Sequence, residues 1–501
     1  MKDNRWKIAF SQLMIIILVL IPLTMVKGTT FATTSDMNIP FPANRFDFNA
    51  IKMDRLLNPL EKRAKHRYIS AAAQEGTLVT LQWNRTYGGS AHDGARSVIQ
   101  TVDGGFALVI YTEYIVQGFY TGTDTWLVKT DHQGEPQWNR TYGAADKALA
   151  VVQTVDKGFA LAGYTESYKV GFKDGLLMKT DASGMIQWNR TFGSPTDDWA
   201  EAIIQTADGG FALIGVTISY GAVLDAWLVK TDTDGYTQWN LTYGGPAYDW
   251  AEAIIQTTDG GFVFAGYSEY YAASYYTNTD VWLVKTDLHG VPQWNRTYGG
   301  SGKDEVSAVI QTTDGGFALV GSTSSYGTGL DDFWLVKTDP RGIVQWNRTY
   351  GGTACDEASS IIQTADGGFA LAGYTVSNEV GFKDVWLVKT DASGMIQWNC
   401  TCGGPADDWA STVIQTVDGG FVLAGYTYSY GVGYSDAWLV KLVPIPETYL
   451  TILETTPITL ETNLSTPQTS LPTEFTPEFE DISVLLALTF LFGLRRKFNR
   501  G

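Results

Sequence analysis

Cysteine and histidine are scarce in this sequence of 501 residues. The three cysteines, Cys355, Cys400 and Cys402, are too few for a disulfide framework, although a bridge from Cys355 to one of the other two stays open. The four histidines are scattered without metal-ligand spacing. Neither a Gly-x-Ser-x-Gly elbow nor a phosphate-binding loop is present. The sequence therefore predicts no metal site, no cofactor and no catalytic residue.

Positive charge is also in short supply. The 35 Lys and Arg are outnumbered by 53 Asp and Glu, which gives a net charge of −18. A protein that binds nucleic acid needs a basic surface to neutralise phosphates, so the composition argues against nucleic acid as a partner. Much of the acidity is periodic aspartate, a residue typical of turns.

Repetition is what the sequence has in abundance. The motif Gln-Trp-Asn-x-Thr occurs seven times, and its tryptophans lie 50 to 55 residues apart. These tryptophans are Trp83, Trp138, Trp188, Trp239, Trp294, Trp346 and Trp398. A period of this length is typical of a solenoid, a propeller or an array, so the repeat decides the architecture.

Each repeat has the pattern of four β-strands. In one repeat the segments 200–206, 211–217, 226–231 and 236–243 are rich in β-branched and aromatic residues, and turns or a loop separate them. Helical periodicity is missing from the repeats. Four strands in about 50 residues make one propeller blade. The pattern thus predicts an all-β protein with seven four-stranded blades.

The ends of the repeat region predict a closed ring. The last repeat stops after its third strand, 437–441, and an extra Gln-Trp-Asn strand, 78–87, precedes the first repeat. This N-terminal strand is placed to complete the last blade, which removes two exposed sheet edges. The sequence therefore predicts a seven-bladed β-propeller over residues 78–443.

The repeat unit contains Trp-x-x-x-Tyr-Gly-Gly, Asp-Gly-Gly-Phe-Ala-Leu-x-Gly-Tyr-Thr and Asp-x-Trp-Leu-Val-Lys-Thr-Asp-x-x-Gly. With these motifs, residues 78–441 resemble the SBBP-type seven-bladed β-propeller repeat of prokaryotic surface and secreted proteins. The resemblance implies the propeller fold. It implies no single activity, because a fold does not fix function.

The N-terminal segment has the features of a secretory signal. Lys2, Arg5 and Lys7 precede the apolar run 13–25, and small residues follow it. Residues 1–32 are therefore interpreted as a signal peptide, with an uncleaved membrane anchor as the alternative. Residues 33–77 are predicted to be a linker or a short helical segment.

The C-terminal segment changes in composition. Residues 444–476 are rich in Thr and Pro, which predicts an extended stalk. Residues 477–501 hold Pro-Glu-Phe, a short apolar run and a basic end, an arrangement similar to the PEF-CTERM tails of archaeal surface proteins. The resemblance implies a sorting signal, and a retained membrane anchor is the alternative. Both place the propeller outside the cell, at the cell surface and anchored to the membrane.

Length varies mainly in the loop between the second and third strands of each blade. In a propeller this loop lies on the same rim as the connections between blades, and binding residues concentrate on variable loops held by a rigid scaffold. This rim is therefore the predicted ligand face. Its aromatic residues are Tyr114, Phe119, Tyr120, Trp199, Trp250, Tyr270, Tyr271, Tyr275, Tyr276, Trp409, Tyr428, Tyr430 and Tyr434. For the three tryptophans, packing between blades is the alternative role.

An aspartate recurs where each blade connection ends. The seven residues are Asp93, Asp146, Asp198, Asp249, Asp304, Asp356 and Asp408. Together with the aromatic rings, such carboxylates could bind a glycan. A residue that all blades share is more typical of the fold, however, so capping of the blade connection is the favoured interpretation.

Every repeat also carries an Asn-x-Thr sequon on its Gln-Trp-Asn strand. Strand alternation places Asn and Thr on one face and Trp on the other, so these are candidate N-glycosylation sites in a secreted protein. They are Asn84, Asn139, Asn189, Asn240, Asn295, Asn347 and Asn399, with Asn463 in the stalk. A side-chain ladder along the strand is the alternative.

Together these features predict a non-enzymatic, monomeric surface protein. Its propeller stands on a stalk and binds a glycan or another cell-envelope protein through the aromatic rim. The alternative is an extracellular glycan hydrolase or lyase with its site at the mouth of the central channel. That alternative requires carboxylates whose pKa values are strongly shifted.

Overall fold

A computed structural model describes residues 69–73, 79–116, 119–143, 146–166, 173–218, 224–272, 275–376 and 381–445. Residues 69–73, 115–116, 119–121, 270–272 and 275–277 are described by their backbone alone. The described residues belong to one compact unit, Lys65–Gly501. The predicted signal peptide and sorting segment lie outside them. Inside them, no helix is long and apolar enough to cross a membrane.

The chain forms seven antiparallel sheets arranged as the blades of a ring, so the predicted seven-bladed β-propeller is confirmed. The first strands of successive blades contact one another around the central axis. The strands of blades 1 to 4 are β3 (His92–Gln100), β4 (Phe106–Val116), β5 (Phe119–Thr130) and β6 (Pro136–Tyr142); β7 (Asp146–Gln153), β8 (Phe159–Glu166), β9 (Lys173–Thr180) and β10 (Ile186–Phe192); β11 (Asp198–Gln205), β12 (Phe211–Ile218), β13 (Leu224–Thr231) and β14 (Thr237–Tyr243); and β15 (Tyr248–Gln256), β16 (Phe262–Ala272), β17 (Tyr275–Thr286) and β18 (Pro292–Tyr298).

The last blade is completed from the other end of the chain. Blades 5 and 6 are β19 (Asp304–Gln311), β20 (Phe317–Thr323), β21 (Asp332–Thr338) and β22 (Val344–Tyr350); and β23 (Asp356–Gln363), β24 (Phe369–Thr375), β25 (Asp384–Thr390) and β26 (Ile396–Cys402). Blade 7 combines β27 (Asp408–Gln415), β28 (Phe421–Thr427) and β29 (Asp436–Pro444) with β2 (Val79–Tyr87). β2 pairs with β29 from Val79↔Pro444 to Tyr87↔Ala437. The ring is therefore closed by the N-terminal strand, as the repeat phase predicts.

Neighbouring blades share their hydrophobic cores. Between blades 2 and 3, Ala160 and Leu177 pack with Phe211 and Trp227 in one buried cluster, and similar clusters join the other blades. A four-stranded sheet cannot bury both of its faces alone, so each blade depends on its neighbours for stability.

The Gln-Trp-Asn-x-Thr strand joins each blade to the next. In β18, the indole of Trp294 lies against Gly342 in the last turn of blade 5, where any side chain would overlap the ring. Tyr298 donates its hydroxyl to the carbonyl oxygen of Gly342 at 2.7 Å. The guanidinium of Arg296 lies 5.5 Å from the Trp294 ring centre, so Trp and Arg share one face of the strand. Equivalent hydroxyl bonds are made by Tyr87, Tyr142, Tyr243 and Tyr350.

The rim with the tight turns is built the same way in every blade. In blade 5 the buried ammonium of Lys337 pairs with Asp314 at 2.8 Å and also donates to Gln345. Hydrogen bonds from an ammonium to a carboxylate are among the stronger ones in proteins. The same pairs are Lys129–Asp103, Lys179–Asp156, Lys230–Asp208, Lys285–Asp259, Lys389–Asp366 and Lys441–Asp418. This uniform rim is part of the scaffold.

One of these turns departs from the rule. Six repeats place glycine with φ between 79° and 84° after the turn aspartate, but blade 2 has Lys157 there with φ of 66°. A positive φ is unfavourable for a residue with a Cβ atom. The turn of blade 2 therefore carries backbone strain that the other six avoid.

Within the segment 33–77, predicted to be a linker or a short helix, the structure places a strand. β1 (Ile69–Ala73) pairs antiparallel with β26 and extends blade 6 to five strands. The helical alternative is wrong for these five residues, because backbone pairing with an open sheet edge replaces local helix formation. Residues 33–68 lie outside the described part of the chain.

β1 coincides with the exceptional sequence of repeat 6. Cys400 and Cys402 stand on β26 where other repeats have Arg and Tyr, and both thiols are buried. Blade 7 receives its outer strand from the N-terminus, so it has no last turn to which a tyrosine at 402 could donate. All three cysteines are free, and the bridge left open for Cys355 does not form.

Candidate ligand-binding face

The loop-rich end of the ring is called the mouth. It consists of the connections between blades and the segments between second and third strands. In blades 1 and 4 these long segments are not loops, because the two strands continue their pairing outward to Val116↔Phe119 and Ala272↔Tyr275. Their alternating aromatic and β-branched residues favour a strand. Phe119, Tyr120, Tyr270, Tyr271, Tyr275 and Tyr276 therefore lie on projecting hairpins, and their side chains are outside the description.

The repeated aspartates hold the blade connections. Asp408 is fully buried and accepts hydrogen bonds from the Gly404 amide at 2.8 Å, from Ser429 at 2.7 Å and from Thr427. The same bond to an amide four residues back is made by Asp93, Asp198, Asp249, Asp304 and Asp356. Asp146 is half-buried at the end of a shorter connection. The geometry of these six is that of a capping residue.

The buried carboxylates also face a second set of aspartates across the seams between blades. Burial raises the pKa of Asp408 to about 6, against its hydrogen bonds, and the nearby charge of Asp384 raises it further. Burial likewise raises the pKa of Asp280, with Asp304 adding to the shift. Such aspartates serve the fold and are poor candidates for ligand contact.

Aromatic rings form a continuous row from the central channel to the rim between blades 7 and 1. Trp409 lies 4.4 Å from Tyr374 and 5.9 Å from Tyr426, measured between ring centres. Tyr428 then follows at 5.9 Å from Tyr426. At the rim, His92 lies 6.2 Å from Tyr428 and stacks on Tyr434 at 4.9 Å. This set is called the aromatic row.

Most of the row is accessible. Tyr428 and Tyr434 are 46% and 69% exposed, and Trp409 and Tyr426 are half-buried, whereas Tyr374 is buried. Sequence reasoning selected Trp409, Tyr428 and Tyr434 but missed His92, which precedes the capping aspartate of blade 1. The sequence held one clue to His92, because only one other repeat, with Tyr248, has an aromatic residue just before its capping aspartate.

A second aromatic group lies across the channel in blades 3 and 4. Trp199 and Trp250 are half-buried with ring centres 5.5 Å apart, and Trp250 stacks on Tyr267 at 5.9 Å. Tyr114 is 40% exposed and donates to Asp124 at 3.1 Å. Tyr430, by contrast, donates to the Gly403 carbonyl at 2.6 Å and packs on Trp438 as part of the scaffold.

The channel wall carries charged residues that the sequence did not predict as part of a site. Glu201 and Glu252 occupy equivalent positions on the innermost strands β11 and β15, and the exposed Arg96 interacts with both. Burial raises the pKa of each glutamate, and the Glu201 charge raises that of Glu252 further. Trp199 donates its indole N–H to Glu201 at 2.7 Å. The sequence held one clue to these glutamates. The residue type at their position differs among the blades, while the neighbouring positions repeat.

Further charges surround the mouth. Lys147 pairs with Glu113 at 2.7 Å, and Lys303 pairs with Glu305 at 2.8 Å. A groove of about 480 Å³ lies between blades 4 and 5, lined in part by Lys303, Glu305 and Glu269. No group of three or more metal-ligating side chains occurs among the described residues.

The sequon asparagines lie on the outer strands, away from the mouth. The exposed ones are Asn139, Asn189, Asn240, Asn295 and Asn347. Asn84 and Asn399 are half-buried. Asn399 accepts a hydrogen bond from the Trp386 indole at 3.3 Å, and its strand is covered by β1. Asn463 lies outside the described residues.

Neither a known protein family nor a curated protein matches the chain. Several solved structures are weakly similar. A protein of unknown function from Bacteroides caccae is 10% identical, with 62% of this chain and 94% of that chain covered and a TM-score of 0.36. Sqt1 from Chaetomium thermophilum is 11% identical, covering 68% and 83%, with a TM-score of 0.40. An α-L-arabinanase from Penicillium chrysogenum, complexed with arabinobiose, is 9% identical, covering 71% and 93%, with a TM-score of 0.37. Likenesses this weak say nothing about function.

Proposed function

We propose that the protein is a cell-surface β-propeller that binds a glycan through its mouth, either free or carried by another envelope protein. The aromatic row is the observation that carries this proposal. Sugar rings present apolar C–H faces that stack on aromatic side chains, and tyrosine and tryptophan offer large contact areas with few rotatable bonds. A row of neighbouring rings offers stacking positions to successive sugar units.

The proposed location follows from the two ends of the sequence. A signal peptide exports the chain, and the Thr/Pro-rich stalk with its sorting segment anchors it at the membrane. The mouth then serves as a rigid platform for recognition, without chemical change to the ligand. The capping geometry of the repeated aspartates supports a non-enzymatic role, since those carboxylates are already engaged with backbone amides.

The direct test is glycan-array binding by the full-length protein and by Tyr434→Ala and Tyr428→Ala. Both rings are exposed, so their removal leaves the fold intact. We expect each change to weaken binding by about threefold to tenfold. Tyr236→Ala is the matched control, because Tyr236 is 60% exposed on the opposite rim. If the folded protein binds no glycan, and no envelope protein crosslinks to the mouth, the proposal fails.

One observation favours a second candidate, a glycan hydrolase. Glycoside hydrolysis uses two carboxylic groups, one of which must hold its proton near neutral pH. Glu252, with its raised pKa, has the property of the acid, and Glu201 lies beside it in the channel. Release of reducing ends from a bound glycan, abolished by both Glu252→Gln and Glu201→Gln, would establish this function. Binding without turnover favours the platform.

A further inference from the structure

The same arrangement of four residues occurs twice at the mouth. Repeats 2 and 6 share Gly-Phe-Lys-Asp before their third strands, and repeats 3 and 7 share Asp-Asp-Trp-Ala at the start of their first strands. The fold brings these segments together at two junctions between blades. The seat between blades 2 and 3 consists of Tyr164, Lys173, Asp197 and Trp199, and the seat between blades 6 and 7 of Tyr374, Lys383, Asp407 and Trp409.

In each seat, both the backbone amide and the side-chain ammonium of the lysine contact neighbouring residues. The backbone amide of Lys383 donates to the Asp407 carboxylate at 2.9 Å. Its ammonium lies 4.0 Å from the centre of the Tyr374 ring and 4.6 Å from that of Trp409. A cation at this distance from aromatic faces is attracted by them. The side chain is thereby held over the faces of the two rings.

The second seat repeats this geometry. The backbone amide of Lys173 donates to Asp197 at 2.8 Å, and its ammonium lies 4.5 Å from Tyr164 and 5.7 Å from Trp199. Trp250 lies next to Trp199, with its ring centre 5.5 Å away. The two seats stand at separate junctions of the ring.

Neither ammonium forms a direct ion pair with a carboxylate among the described residues, although the charge of Glu201 acts on Lys173 from a longer distance. Lys147 and Lys303, also at the mouth, form ion pairs with Glu113 and Glu305. For Lys173 and Lys383 the close contacts are aromatic faces. An ammonium has three N–H donors, and ring faces do not satisfy them as a carboxylate would.

We propose that each seat binds the carboxylate of an acidic sugar, with the sugar ring stacked on the adjacent tryptophan. This inference rests on the proposed glycan-binding function and names the class of glycan. A half-buried indole beside an ammonium that has no direct ion pair among the described residues matches a ligand that presents an apolar ring face and a carboxylate together. The local cations also offset the repulsion between such a ligand and a protein of net charge −18.

Isothermal titration calorimetry on the full-length protein tests the proposal with a tetragalacturonate and its fully methyl-esterified form. The ester keeps the sugar rings and removes the charges. Lys173→Met and Lys383→Met are expected to weaken binding of the acid by about tenfold each, because a charge-assisted bond is lost. Binding of the ester is expected to change by less than about twofold.

Two further variants separate the parts of each seat. Trp409→Ala should weaken binding of both ligands, because it removes the stacking surface. Lys303→Met is the matched control, since that lysine is already paired with Glu305, and it should leave both affinities unchanged. Thermal melting of every variant reports whether the fold is retained.

The outcomes distinguish this inference from the function on which it rests. Preference for the acid that disappears in the two seat-lysine variants supports it. Equal binding of acid and ester, unaffected by those variants, overturns the acidic-sugar inference and leaves glycan binding standing. Failure of the folded protein to bind these sugars or any neutral glycan overturns both.

Discussion

Tyr298 of blade 4 donates its hydroxyl to the carbonyl oxygen of Gly342 in blade 5. The bond is buried, and it sits where the indole of Trp294 also contacts the glycine. Five blades form this joint with a tyrosine, whereas blade 2 has Phe192, which has no hydroxyl to donate. The repeated motif that dominates the sequence thus acts at the seams of the ring.

Removing the tyrosine hydroxyl bond in blade 4 and adding it in blade 2 are expected to change stability in opposite directions. Tyr298→Phe leaves a buried carbonyl without its donor and should lower the free energy of unfolding by about 1 kcal/mol. Phe192→Tyr should raise it by a similar amount, because it adds the missing bond to Gly235. Chemical denaturation of both variants measures the changes. Equal stability of Tyr298→Phe and the parent would contradict a stabilising role for the bond.

Lys157→Gly is expected to stabilise the protein. The positive φ of Lys157 costs a residue with a Cβ atom about 1 kcal/mol more than glycine. Removing this strain outweighs the additional freedom that glycine gives the unfolded chain. Gly209→Lys in blade 3 is the reciprocal variant and should destabilise by a comparable amount. Their melting temperatures should therefore move in opposite directions.

The capping aspartates of the mouth and the turn aspartates of the opposite rim predict how stability depends on pH. Asp408 has a pKa of about 6 in the fold, above its ordinary value of 3.8. Its contribution to the stability of the fold is therefore fully present below pH 3.8 and is lost as the pH rises through about 6. Asp314 behaves oppositely. Partial burial alone would raise the pKa of Asp314, but hydrogen bonds from Lys337 and Thr312 hold it at about 2. Its contribution to the stability of the fold is therefore lost as the pH falls from 3.8 through about 2.

Melting temperature should therefore rise as pH is lowered from 7 to about 5 and fall steeply below about 3. Asp408→Asn should flatten the slope between 3.8 and about 6 without affecting the acid limb. Differential scanning calorimetry across this range measures both limbs. A melting temperature that rises steadily from pH 4 to 7 would show that the buried carboxyls ionise without cost.

Glu252→Gln should stabilise the propeller in alkaline solution. Burial and the charge of Glu201 raise the pKa of Glu252, so the folded state disfavours its ionised form and loses stability as pH rises through that pKa. Glutamine removes this loss. The melting temperature of the variant should exceed that of the parent at pH 9 and match it near pH 5. Glu166→Gln, at an exposed position, serves as the control.

Glycosylation is expected to follow the exposure of the sequons. In a host that attaches N-glycans, the exposed Asn139, Asn240 and Asn347 and their two equivalents should be occupied. Asn399 should remain largely unmodified, because β1 covers its strand and its side chain bonds to Trp386. Peptide mass spectrometry reports occupancy site by site. Equal occupancy at Asn399 would show that attachment precedes closure of blade 6.

The fold was readable from the sequence because its signals are local and repeat seven times. Asp-Gly turns and alternating strands specify each blade, and the phase shift between the extra strand 78–87 and the truncated last repeat specifies the closure. β1 was missed because Ile69–Ala73 belongs to no repeat. Its strand state depends on pairing with β26, which lies more than 300 residues away.

The mouth was only partly predictable, because some of its residues come together only through contacts between distant parts of the chain. Trp199, Trp250 and Trp409 were found as exceptions to the repeat, and the structure places them beside the channel. Glu201, Glu252 and Arg96 gain their significance only when different blades meet at the axis. No spacing along the chain encodes that meeting, because it arises from the radius of the closed ring.

The position of β29 in blade 7 determines how the ring responds to mechanical force. Tension applied through the proposed C-terminal stalk would enter at residue 445 and pull along β29, which is bonded to β28 on one side and to β2 on the other. Both ladders must then shear at once, whereas an edge strand would be held by only one. The N-terminal strand that closes the ring thus gives the last strand of the propeller a second ladder of hydrogen bonds, which raises its resistance to a pull from the C-terminal side.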